Sequence, residues 1–220
     1  MPKALSHLHR PIGYQLNNVG DFPLRERERL ARYAMECIAS FSTVESWMLN
    51  LYLDLVGGNK SDAAALFMKM ESRGTRSAAL APFISRLDKK YQSLYRAIEQ
   101  LMKIRAKPRD KLAHWVWGIS HDLPEALLLA NPKALATLDH LSPTYSDDMK
   151  KEIWIYEAKD FEKIIQENNE LAGFGMEFRF IVRGHPANRG DQLYQSLCAQ
   201  PALAEILNRQ SKRDQSHQRS

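Results

Sequence analysis

Arg109 and His114 are the two residues whose types and spacing fit a chemistry, and Asp110-Lys111-Leu112-Ala113 lies between them. Breaking an RNA phosphodiester without a metal takes one group to manage the proton of the 2′-hydroxyl. It also takes a cation to meet the charge that builds on the phosphate oxygens. An imidazole suits the first task because its ordinary pKa lies near 6.5. A guanidinium suits the second, being planar, permanently charged and matched to phosphate oxygens. Asp110 is placed to orient either group. Arg105, Lys107 and Lys111 add positive charge for a nucleic-acid backbone, and Trp115 and Trp117 offer faces on which an unpaired base stacks. Each residue also has a plainer reading. A His beside aromatics packs or caps, Trp fills cores and dimer contacts, and basic residues gather at helix ends because the dipole favours them there.

These residues need a scaffold. Residues 87 to 106 carry Leu87, Tyr91, Leu94, Ile98, Leu101 and Ile104 at helical spacing. Pro108 is expected to interrupt that helix, with a new turn starting at Arg109. Upstream, "RERERLARYAMECIASFSTVESWMLNLYLDLV" has apolar residues at 30, 34, 38, 41, 48, 52 and 55. This predicts a helix from about Pro23, capped by Asp21 and ended by Gly57-Gly58-Asn59. Glu45 falls on the stripe between Phe41 and Met48, where a carboxylate needs a partner. The plain expectation is an Arg or backbone partner with no chemical role; the alternative is that Glu45 reaches the cleft and holds Arg109, as a supporting residue of the site. Shorter helices are expected after Ser61-Asp62 and over residues 75 to 86.

Beyond Gly118 the pattern shortens. "WVWGIS", "EALLLANP" and "KEIWIYE" read as strands of a small antiparallel sheet or hairpin. Asp160 then caps a long helix, and a last helix covers about 189 to 207. Residues 1–22, with Pro2, Pro11, Gly13 and Gly20, read as an irregular N-terminal arm. Residues 208–220 are polar and read as a disordered tail. A single domain over 23–207 is expected, its bundle at 23–118 and its sheet plus further helices at 119–207. His121 and His185 lie in turn-like sequence and receive no role.

The chain has 220 residues, 44% hydrophobic and 26% charged, with a formal net charge of +5. That length supports a real core, and the basic excess accommodates a nucleic-acid partner without demanding one. Cys37 and Cys198 lack metal-ligand spacing, which suggests a reduced intracellular chain. No P-loop, dinucleotide fingerprint, His-Glu-x-x-His or nucleophile elbow occurs, so neither metal nor cofactor is expected. Neither a secretory pattern nor a run of about 18 apolar residues is present. A cytoplasmic protein without membrane contact is the expectation.

The run Arg109-Asp110-Lys111-Leu112-Ala113-His114 resembles the signature of the HEPN superfamily: an Arg, a polar residue next to it, and a His a few residues on. The resemblance spans the motif and the helical layout of residues 24 to 118. It implies a mainly α fold, a helical bundle to which this chain adds a small antiparallel β element and C-terminal helices. It implies a homodimer whose two motifs meet at one cleft, with Arg109 and His114 as catalytic residues. The implied activity is metal-independent cleavage of RNA, single-stranded by preference, in toxin–antitoxin, defence or RNA-processing settings. An antitoxin or defence protein is then a further partner. Other members have lost the activity, so the second expectation is an inactive module binding RNA, a nucleotide or a partner protein. A helical structural protein is the third.

Overall fold

The computed structural model describes residues 2–17, 22–184 and 189–217. Asp21 and His185, expected as a cap and left without a role, lie outside them. Apolar residues at helical spacing dominate the chain, and the fold is accordingly mainly α with one small antiparallel sheet. The chain divides into two compact units, each made of two stretches: 1–41 with 106–167, and 42–105 with 168–220. All three crossings fall inside continuous helices, where neither loop nor composition marks a change.

The sheet belongs to the first unit. Its strands are β1 (Lys3–Ala4), β2 (Gln15–Asn17), β3 (Val116–Ile119), β4 (Ala126–Ala130) and β5 (Ile153–Glu157). They run in the order β1-β5-β4-β3-β2, every neighbouring pair antiparallel. The three apolar runs read as strands are the central three. The two edges come from the N-terminal segment expected to be irregular: Lys3 pairs with Ile155, and Gln15 with Ile119. Side-chain bonds pin that segment further. The Gly13 N–H donates to Asp122 Oδ2 at 2.8 Å, and the Ser120 hydroxyl donates to the Gly13 carbonyl at 2.5 Å. Gly118 permits the β2–β3 approach, since a Cβ there would lie 2.6 Å from the Gln15 carbonyl oxygen.

Both faces of the sheet are covered, which explains why β4 is apolar throughout and wholly buried. On one face Leu127, Leu129, Ile119 and Tyr156 pack with Leu30, Ala34 and Cys37 of α2 (Glu28–Val56), Leu112 of α5 (Lys89–His114), and Phe161 and Ile164 of α8 (Ala158–Val182). On the other, Leu128, Ile153 and Ile155 pack with Leu5, Ile12 and Leu8 of the N-terminal segment. Asp160 serves the start of α8 from within the helix: its carboxylate accepts the Glu157 N–H at 3.1 Å, the reciprocal half of a capping box.

The second unit is helical. The later part of α2 contributes Val44, Trp47, Met48 and Leu51, all buried. Gly57 and Gly58, both near φ +70°, take the left-handed conformation that ends the helix. Next come α3 (Lys60–Met68), capped by Asn59, and α4 (Arg73–Ile84), capped by Ser72. The aromatic core joins Trp47 to Tyr95 and Tyr95 to Phe178. The last segment forms two helices, Arg189–Ala199 and Pro201–His217, divided before a proline that opens the second. The second continues past Asn208, where a disordered tail was expected. Arg209 pairs with Glu205 one turn back, and the run is rich in residues that favour helix.

Candidate functional site

α5 runs unbroken from Lys89 to His114, with Pro108 inside it. The expected break does not occur. The ring removes one N–H from the ladder, but Leu112 on the following turn is buried against α2 and the sheet, and that packing carries the helix through. The helix closes where the Trp115 N–H donates to the Lys111 carbonyl at 2.9 Å. Arg109 and His114 therefore sit on the final turns of one helix, and not at a helix start.

Helix geometry then decides which side chains share a face. At 100° per residue, Arg109 and His114 point about 140° apart. Burial agrees. His114 is exposed, whereas Arg109 is on the half-buried side with its side chain 25% exposed and its Nε enclosed without a hydrogen bond. Arg109 Nη1 donates to Asp110 Oδ1 at 3.3 Å. By contrast, Lys107, Lys111 and His114 follow i, i+4, i+7 and fall within about 60° of arc. The side chains of Lys107, Lys111 and His114 make no hydrogen bond or ion pair with another described residue.

Lys111 has an unusual setting. Its ammonium lies 4.7 Å from the Trp115 ring and 4.6 Å from that of Trp154 on β5. Burial, and after it the charge of Lys107, holds the Lys111 pKa below the ordinary lysine range, while the indole faces act in the opposite sense. Trp154 was absent from the sequence reading. A Trp on a strand distant from the motif gives no spacing signal; only the β4–β5 pairing at Leu129 fixes its place beside the end of α5. Trp115, Trp117 and Trp154 all lean on the first unit's core and are only partly buried.

Two expected contributors have other occupations. Arg105 is 8% exposed, and its Nη2 donates to Glu170 Oε2 at 2.6 Å in the second unit. Glu45 lies beside the buried stripe, which runs Phe41–Val44–Met48–Leu51, so its carboxylate is only partly buried. Its partner at 3.7 Å is Arg73, within the same unit.

Among the described residues no group of three or more His, Cys, Asp or Glu is placed to hold a metal ion. No described helix is long and apolar enough to cross a membrane. The carbonyl end of α5 carries partial negative charge, so an anion approaching it depends on Lys107 and Lys111 outweighing the dipole. An exposed imidazole with two lysines on one face meets that condition.

Compared with protein-family models, curated proteins and solved structures, the chain matches none.

Proposed function

We propose that the protein is an RNA-binding module of HEPN-like kind that grips the backbone of single-stranded RNA on the Lys107–Lys111–His114 face of α5. The observation that supports it is the set of three cationic or titratable groups on one helix face, engaged with no described carboxylate. A reducing, cytoplasmic setting goes with this reading, Cys37 and Cys198 both being thiols. A protein partner of antitoxin or defence kind goes with the same resemblance. The test is binding of a labelled RNA oligomer across a salt series. Saturable binding is expected, with an affinity falling by a log–log slope of about 0.7 for each phosphate neutralised. An affinity indifferent to salt overturns the reading.

A second reading is metal-independent endoribonuclease action in a homodimer, favoured by the unengaged imidazole of His114 at the solvent edge. Arg109 of the same chain faces elsewhere, so the guanidinium would come from a second copy across a twofold axis. Cleavage in EDTA leaving cyclic phosphate ends tests it. Mixing Arg109→Ala with His114→Ala chains then restores roughly a quarter of the wild-type rate, because half the dimers are mixed and each holds one complete pair of two.

A further inference from the structure

The Lys111 ammonium lies 4.7 Å from the Trp115 ring and 4.6 Å from the Trp154 ring, with no carboxylate paired to it among the described residues. Cation–π attraction offsets only part of the desolvation of an ammonium, and the depressed Lys111 pKa registers that burial. Both indoles keep part of their surface in water. A phosphate at the solvent edge would pair with Lys111 more favourably than the rings do, since a charge-assisted hydrogen bond is the stronger contact. Lys111 has a flexible four-carbon stem and needs only to turn outward.

We propose that Trp115 and Trp154 form a base-stacking slot, occupied by Lys111 in the free protein, which passes to a nucleobase of single-stranded RNA when Lys111 moves out to the adjoining phosphate. This rests on the RNA-binding reading and adds the identity of what is read. The occupant follows from two requirements. It must present a flat π face to the indoles, and it must carry an anion for Lys107 and Lys111. A cationic ligand meets repulsion from both lysines. A base in a duplex has its faces covered by its neighbours, whereas an unpaired base has them free. Stacking on an aromatic side chain tolerates any base, since every base has a π face. The slot therefore selects strandedness and not sequence.

The experiment compares binding of a labelled 2′-O-methyl oligoadenylate, which 2′-hydroxyl attack cannot cut, with the same strand in duplex and with adenosine monophosphate. Tryptophan emission is followed in parallel. The single strand is expected to quench emission and to bind more than about tenfold tighter than the duplex. Trp115→Leu is expected to weaken it about tenfold, and Lys111→Met to lower the salt slope by about 0.7. Thermal melting checks each variant. Should Trp115→Leu fail to fold, Lys111→Met decides, since methionine keeps an apolar chain between the rings. Equal affinity for duplex and single strand, or a Lys111→Met slope equal to wild type, overturns the slot while leaving backbone binding standing. Adenosine monophosphate binding as tightly as the strand overturns the assignment to RNA in favour of a free nucleotide. Absence of all binding removes the slot and the RNA-binding reading together.

Discussion

Arg105 Nη2 donates to Glu170 Oε2 at 2.6 Å from a guanidinium that is almost wholly buried. The pair ties α5 to α8 within the second unit. Arg105→Ala is expected to lower stability by about 1–2 kcal/mol, below the cost of breaking a fully buried pair because Glu170 keeps much of its exposure. RNA affinity is expected to hold. Thermal melting and an RNA titration on the same variant check both halves.

Arg109 and His114 are expected to answer substitution differently, because they lie on different sides of α5. Arg109→Ala removes a half-buried side chain and its bond to Asp110, so the melting temperature falls. His114→Ala takes away an exposed ring and leaves the melting temperature within a degree or two of wild type, while RNA affinity declines. A shared catalytic cleft predicts instead that both variants lose cleavage alike. Melting curves beside cleavage and binding assays separate the two patterns.

Much of the fold was legible because burial leaves a periodic trace. β4 announces itself as Ala126–Ala130, apolar at every position, since both faces of the sheet are covered. The edge strands left no such trace. β1 has two residues and β2 three, too few for alternation, and their order comes from partners such as Ile155 and Ile119 far along the chain. The proline rule failed at Pro108 because Leu112 packs firmly on the turn beyond it. Within the candidate site, the column Lys107–Lys111–His114 was present in the sequence. The expected break at Pro108 concealed it, since face-sharing has meaning only along one continuous helix. Glu45 misled because an apolar count joined Phe41 to Met48, whereas the buried line passes through Val44.

Gly175 lies against the Trp47 indole so closely that a Cβ at that position would sit 2.5 Å from its ring atoms. Helix propensity alone would favour alanine there. Gly175→Ala is nonetheless expected to destabilise by about 1–3 kcal/mol, because Trp47 is buried and has no room to retreat. A chemical denaturation midpoint measures it. Gly173→Ala, with nothing within 4 Å of its Cβ, is the internal control and is expected to raise stability.

Alkaline pH is expected to weaken the fold before it ionises the buried groups. Burial, with the Glu36 carboxylate second, pushes the Cys37 thiol up to about 12. Burial likewise raises Tyr95, with Glu99 adding to it, and Tyr156, with Asp160 adding to it. Each group is neutral in the fold and loses its proton more readily once unfolded. Their contribution is whole below the unfolded values, near 9 for the thiol and 10 for the phenols, and drains away as pH climbs toward the folded ones. Melting temperature is expected to decline from about pH 9 upward. At pH 8, iodoacetamide is expected to reach Cys198 in the native protein and to spare Cys37, whose thiol donates to the Phe161 carbonyl.

Both borders of the sheet are supplied by residues 3 to 17, while its middle comes from residues 116 to 157. During synthesis the borders emerge long before anything exists for them to flank, and they wait unpaired while the helices of the second unit are made. Once β3 and β5 appear, their outer rows of amide and carbonyl groups stay open until that early segment returns. Clipping the chain near Gly13 would release β1, uncover the outer row of β5 and invite strand-by-strand association between molecules. The N-terminal segment thus works as a sealing hem, closing last what it began first.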